Sequence, residues 1–232
     1  MWGKKTVAVI IPIANNSLAL SVVQDYDSTG YVDEVIVVGE EADSRLGDSL
    51  ARTRARYVKQ SKPGLGIAIR EGVNKTGADL VIITEADGTF IGRDILKLLS
   101  YSDDFDVVFG SRTHVPLIAK SSGMTFARRL VDDLFGKITS VLFLSSPLTD
   151  VGCTLRLTNR KAWKGVQKYF KCDSEMFLTE WLLLIVKNKT RFIEIPVHFV
   201  AKKKKTQAKT ASYFVKRAVF ILFYIIKIRF FV

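Results

Sequence analysis

An α/β fold built on a mainly parallel sheet is what this sequence predicts, and three observations predict it. Apolar runs rich in β-branched residues recur without polar alternation, as strands covered on both faces require. Helix-length segments separate those runs, and strand–helix alternation is the pattern of parallel sheets. The chain has 232 residues, 48% hydrophobic and 25% charged, with 5 prolines. That is long enough for one sizeable core and too apolar for disorder. The same composition excludes collagen-like, mucin-like and disulfide-scaffold classes.

The first run, Thr-Val-Ala-Val-Ile-Ile-Pro-Ile over residues 6–13, is short, contains Pro12 and lacks a small-residue cleavage site. It reads as a buried strand, not a signal peptide. Further strands follow at 34–38, 79–84 and 105–110, with helices over 17–27, 43–53, 64–74 and 93–99. A long amphipathic helix is expected over 123–144, with Arg128, Arg129, Asp132 and Asp133 at its polar positions. Short strands at 153–157 and 191–195 flank a helix over 174–187. Ligands of open parallel sheets bind outside the carboxyl ends of the strands. Residues 14–16, 39–43, 85–89 and 111–112 therefore form one candidate cleft.

Charge is divided unevenly. Residues 1–150 carry 17 basic and 19 acidic side chains, whereas residues 151–232 carry 18 and 4, for a net charge of +12 overall. A cationic last third suggests a polyanionic partner: nucleic acid, anionic lipid or a phosphorylated substrate. The basic stretch lacks the interleaved aromatics of nucleic-acid modules, so no nucleic-acid partner is expected. The aromatics gather instead in an apolar tail, residues 213–232, interrupted by Lys216, Arg217, Lys227 and Arg229. Its longest uncharged run is nine residues, 218–226, against the roughly 20 needed to span a bilayer. A helix lying in an anionic membrane interface is the expectation, helped by the Lys202–Lys205 run. A helix packed on the body or on a dimer partner is the alternative. Cys153, Cys172, His114 and His198 are too few and unsuitably spaced for a zinc site. A reducing, cytoplasmic compartment follows from the sparse cysteines. His114 and His198 read as loop and strand residues, Trp163 and Trp181 as core or interface.

The segment richest in chemistry is Glu85-Ala-Asp87 followed by Gly88, where a buried strand emerges into two acids. Acids two apart at a strand end can reach one point, and hard divalent cations such as Mg²⁺ or Mn²⁺ take such oxygen ligands together with substrate phosphate. The alternative is a turn with solvated acids. Gly64-Leu-Gly66 is neither a Walker A loop nor a full GxGxxG, although a helix N-terminus there can help hold phosphate.

Taken in order, these pieces resemble the family 2 glycosyltransferases, and among them the dolichyl-phosphate mannose or glucose synthase type. Pro12-Ile-Ala-Asn15 matches the family's first strand end, and Val38-Gly-Glu-Glu41 the second. Gly64-Leu-Gly-Ile-Ala-Ile-Arg-Glu-Gly72 is similar to its glycine-rich helix start, and Glu85-Ala-Asp87 to its Asp-x-Asp pair. Gly110-Ser-Arg112, Asp150-Val-Gly-Cys-Thr-Leu-Arg156, and Thr179-Glu180 with Glu194-Ile-Pro-Val197 follow at the family's spacing. This chain departs in having Glu85 for Asp, Gly39 in place of one acid, Leu65 for a lysine, and lysines 202–205 where the family closes with an arginine pattern.

The resemblance implies a GT-A (Rossmann-like) three-layer sandwich over residues 1–200, with a basic loop and C-terminal helix over 201–232. It implies inverting transfer from a nucleotide-sugar donor to a polyprenyl (dolichyl-type) phosphate at the cytoplasmic membrane face. Pro12, Ala14, Asn15, Glu40, Gly64 and Glu85 would bind the donor nucleotide. Glu85 and Asp87 would hold Mg²⁺ or Mn²⁺. Arg112, Arg128, Arg129 and Lys202 would hold acceptor phosphate, the arginines because guanidinium binds phosphate in a bidentate way. Asp87, Arg112 and Asp150 are the catalytic candidates. Asp150 would either pair with an arginine or orient an acceptor, and a saccharide hydroxyl would need it as base. Glu180, on an apolar helix, is expected to serve the site or to pair with Arg156 or Arg160. A membrane partner subunit or a homodimer is compatible with the tail. The competing classes are a glycosyltransferase acting on a saccharide hydroxyl, a nucleotidyltransferase (whose basic N-terminal signature is missing), and a non-catalytic basic α/β protein that binds membrane or nucleic acid.

Overall fold

The computed structural model describes residues 1–13, 18–40, 44–200 and 211–231. Seven strands form one sheet: β1 (Val7–Ile13), β2 (Glu34–Gly39), β3 (Ala55–Lys59), β4 (Leu80–Ile83), β5 (Val107–Ser111), β6 (Arg156–Asn159) and β7 (Phe192–Pro196). Their order is β3-β2-β1-β4-β6-β5-β7, parallel except for β6, which runs against both neighbours. The helices are α1 (Ala19–Asp27), α2 (Ser44–Leu50), α3 (Leu65–Lys75), α4 (Ile95–Ser100), α5 (Phe126–Phe143), α6 (Arg160–Val166), α7 (Phe177–Lys187) and α8 (Ala211–Phe231).

Strand side chains alternate between two cores. Val7, Val9, Ile11, Val35 and Val37 pack against α1, α2 and α4, whereas Ile10, Ile36, Val38, Val81 and Ile83 pack against α3, α5, α6, α7 and α8. This is the expected three-layer arrangement, and fully burying each such side chain contributes about 1.5–3 kcal/mol. The chain winds outward through β2 and β3, then returns to place β4 on the other side of β1. The ends of β1 and β4 thus flank the point where strand order reverses, the usual ligand position in such sheets.

Two elements escape the sequence pattern. β3 is an edge strand whose charged, half-exposed residues hide its strand character, and α6 is a short helix capped by the Asn159 side chain accepting from Ala162 N–H. The reversal of β6 is the larger surprise. It brings the loop before β6, residues 150–155, to the rim formed by the ends of the other strands.

α5 and α8 differ from a buried helix pair. Ile221, Ile225 and Ile228 of α8 are buried in the core, while Phe220, Phe223, Ile226 and Phe230 are exposed. α5 likewise exposes Phe126, Leu130, Leu134 and Val141. The two helices meet where Arg229 Nε donates to Leu142 O at 2.7 Å. One face of α8 is thus packed on the body, the alternative expected for the tail, and another is left apolar and outward. No helix among the described residues is long and apolar enough to cross a membrane.

Candidate active site

At the rim, the end of β4 faces the loop entering β6. Ile83 pairs with Arg156 in antiparallel register; two residues further on, Thr154 Oγ1 donates to Glu85 Oε1 at 2.6 Å. Asp87 closes a tight turn around Gly88, its Oδ1 accepting from Thr89 N–H and from Thr89 Oγ1 at 3.0 and 2.6 Å. Gly88 has φ 74°, the left-handed conformation that glycine takes without strain. Both acids are only partly buried. Two carboxylates at a strand end fit a hard divalent cation. Among the described residues no third acid, cysteine or histidine joins them as a metal-holding group.

The second part of the rim is a buried ion pair. Arg112, just past β5, is 3% exposed, and its Nε and Nη2 donate to Asp150 Oδ2 and Oδ1 at 2.7 and 2.8 Å. Burial alone would raise the Asp150 carboxyl; the Arg112 charge and hydrogen bonds outweigh it and hold that carboxyl below its usual range. The arginine pair expected as one of the two readings of Asp150 is thus present, and through it Asp150 holds Arg112.

Asp150 is in turn fixed from β7. Glu194 Oε1 accepts from Asp150 N–H, and Oε2 accepts from Thr149 N–H and Oγ1, at 2.7–2.9 Å. Burial, with the Asp150 charge, pushes the Glu194 carboxyl up to about 7. Thr149 Oγ1 also meets the Ser111 and Thr113 hydroxyls.

Arg128 and Arg129, adjacent on α5, point to different places because successive helix residues diverge by about 100°. Arg129 stands over the Phe126 ring and lines an open cavity of about 300 Å³ with Thr113, His114, Leu130, Asp133 and Thr149. Arg128 faces Asp132 at 4.0 Å. Burial, then repulsion from Arg112 and Arg217, lowers the Arg128 pKa. Burial and the Asp150 charge push Asp132 up to about 6. Arg217 belongs to α8, in the tail expected either to lie in a membrane interface or to pack on the body or a dimer partner. No local pattern announced that it would reach the rim.

Other expected residues are placed as follows. Pro12 is half-buried at the end of β1, and Glu40 is exposed just past β2. Ala14, Asn15, Glu41 and Lys202 lie outside the described residues. Gly39 has a packing reason of its own: a Cβ there would meet Ile13 Cγ1 at 2.5 Å. At Gly64 a Cβ would meet the Asp173 carbonyl at 2.3 Å, and that same carbonyl takes the Gly66 N–H. The opening of α3 is thus packed against the loop before α7. Glu180 makes no ion pair with Arg156 or Arg160; its carboxylate accepts from the Lys171 and Cys172 N–H groups, bracing that same loop. Trp163 and Trp181 are core residues at 1% and 0% exposure. His198 joins Asp94 through its N–H and Nδ1.

Residues 9–163, which run from within β1 through β6 and hold this rim apart from α8 and Glu194, match the model of "Glycosyl transferase family 2". The chain belongs to that family. It is 28% identical over 130 residues to an uncharacterized glycosyltransferase of Mycobacterium tuberculosis, covering 53% of this chain and 59% of that one. To the dolichyl-phosphate hexose transferase of Haloferax volcanii it is 28% identical over 131 residues, covering 53% and 57%. The chain therefore spans somewhat over half the length of the curated relatives it matches. Among solved structures, glucosyl-3-phosphoglycerate synthase from Mycobacterium tuberculosis, in complex with Mn²⁺, UDP and phosphoglyceric acid, superposes with a TM-score of 0.72 at 13% identity over 98% of this chain and 79% of that one. At that identity the likeness concerns the GT-A fold of this family 2 glycosyltransferase.

Proposed function

We propose that the protein transfers a sugar from a nucleotide-activated donor to a polyprenyl-type phosphate at a membrane surface, with inversion. The observation that carries this reading is the segment 150–154. At one end Asp150 holds Arg112, and at the other Thr154 holds Glu85, so one short loop joins an acidic pair to an arginine cluster. The acidic end suits a cation and donor diphosphate; the basic end suits a second, separate phosphate.

In the reaction, an acceptor phosphate oxygen forms the new bond to the anomeric carbon while the bond from that carbon to the donor diphosphate breaks. The bonding pair leaves with the nucleoside diphosphate. The acceptor is already anionic near neutral pH, so no general base has to remove a proton. This agrees with Asp150, whose two oxygens are engaged by Arg112 and whose proton affinity is depressed. The chain's own work is to hold two anions close despite their repulsion, through Arg112, Arg128 and Arg129. Glu85 and Asp87 would hold Mg²⁺ or Mn²⁺, which when bound neutralises the diphosphate. Support for the lipid comes from the outward apolar faces of α5 and α8, beside Arg129 and Lys227, and from the dolichyl-phosphate relatives named above. These faces make the protein a peripheral membrane protein in this reading.

The test is calorimetric titration of UDP and GDP with Mn²⁺ into the wild type and Asp87→Ala. The expected outcome is metal-dependent binding of one nucleotide, weakened roughly tenfold or more by the substitution with folding retained. Equal affinity in both proteins would remove Asp87 from the donor site.

A further inference from the structure

Besides the isoleucines that α8 packs into the core, the helix turns one charged side chain toward the rim. A Cβ built on Gly152 would lie 2.7 Å from Arg217 Nη2 and 3.5 Å from Arg112 Nη2, so both guanidinium groups converge on the bare face of this glycine. Gly152 does not need its glycine for backbone reasons, since its φ is outside the left-handed region, and its N–H donates to Asp150 Oδ1 at 3.0 Å. The missing side chain makes room for Arg217. The charges around that point do not balance. Arg112, Arg128 and Arg217 face Asp132 and Asp150, and Arg112 already takes both oxygens of Asp150. Asp132 is 7% exposed, and its Oδ2 has no hydrogen-bond partner. Partly buried guanidinium groups in excess over carboxylates are a site for a further anion.

We propose that Arg217 of α8 is a phosphate-binding residue of the acceptor site, seated over Gly152, so that the helix carrying the outward apolar face also completes the pocket for the acceptor's phosphomonoester. The inference rests on the glycosyl-transfer reading above and adds to it a residue outside the matched family segment. It gives α8 two tasks in one piece. Its apolar side meets the hydrocarbon part of an acceptor's surroundings, and its Arg217 meets the headgroup. The shared chemistry is a phosphomonoester dianion, whether on a lipid or on a small soluble molecule.

The experiment uses the full chain and two probes, citronellyl phosphate below its micellar concentration and 3-phosphoglycerate, with UDP–Mn²⁺ and GDP–Mn²⁺ binding as the control. Arg217→Ala is expected to weaken phosphomonoester binding about tenfold, the weight of one charge-assisted contact. It should raise the acceptor KM more than it lowers kcat and leave nucleotide affinity within about twofold. Gly152→Ala keeps every charge but moves the Arg217 guanidinium, and should act in the same direction; Arg217→Lys should restore part of the loss. Preference for citronellyl phosphate places the site at a lipid, and preference for 3-phosphoglycerate at a soluble acceptor; either supports the role of Arg217. Unchanged phosphomonoester affinity in both Arg217→Ala and Gly152→Ala, with a wild type that binds, overturns this inference and leaves the proposed function standing. A wild type that binds nucleotide but neither phosphomonoester overturns both the inference and the phosphate-acceptor reading. Should Arg217→Ala fail to fold, Gly152→Ala decides.

Discussion

Two buried arginines, Arg112 and Arg156, flank the loop 150–155 in space and are handled in opposite ways. Arg112 meets a carboxylate. The Asp150 charge overcomes the cost of burial and holds its guanidinium well above the usual range. Arg156 meets only carbonyls: its Nε and Nη2 donate to Cys153 O and Val151 O at 2.6 and 3.1 Å, its Nη1 to Leu178 O, and it lies between the rings of Phe109 and Trp181. Burial pushes it down to about 10. The difference teaches that burial of an arginine does not announce its task. Arg156 is a brace that shapes residues 151–153, and Arg112 is the charge that the braced loop presents.

The comparison can be broken most severely at Asp150. Asp150→Ala strands the Arg112 cation in the interior, and urea unfolding is expected to show a loss of about 3–5 kcal/mol. A loss below about 1 kcal/mol would mean that Arg112 swings out to solvent and that the pair is not structural. Arg156→Met keeps most of the volume but orphans three carbonyls, for an expected loss of about 2–3 kcal/mol. Donor binding should survive in the folded fraction, and a selective loss of nucleotide binding with full stability would reassign Arg156 to the site. The smallest effect is a pH dependence. Glu194 has a folded pKa raised to about 7 against an ordinary carboxylate in the unfolded chain. The native state therefore binds the extra proton between about pH 4.5 and 7, and stability falls as pH rises through that window. The slope should integrate to on the order of 2 kcal/mol after allowance for partial solvent access. Glu194→Gln should flatten it; a slope of equal size in that variant would assign it elsewhere, Asp132 being the next candidate.

Much of this architecture was legible in the residues. The unbroken β-branched runs of β1, β2 and β4 could be nothing but interior strands, and their ends gave the acidic pair directly. β3 was not legible because Arg56 and Lys59 put charge on an edge strand whose pattern carries no interior signal. The sense of β6 was not legible either, since periodicity is the same in both directions. That reversal is what sets Thr154 opposite Glu85 and Asp150 beside Arg112. Arg217 was hidden for a different reason. Its sequence neighbours are apolar and aromatic with scattered cations, and only the tertiary packing of α8 turns this one side chain toward Gly152.

Gly136 shows how little slack separates the greasy exterior from the charged rim. A methyl group there would strike Leu148 O at 2.3 Å and crowd Thr149 Cα at 2.7 Å, so α5 lies directly on the two residues that precede Asp150. A larger side chain at position 136 would therefore lift α5 from residues 148–149 and carry the neighbouring Asp150 carboxylate out of line with Arg112.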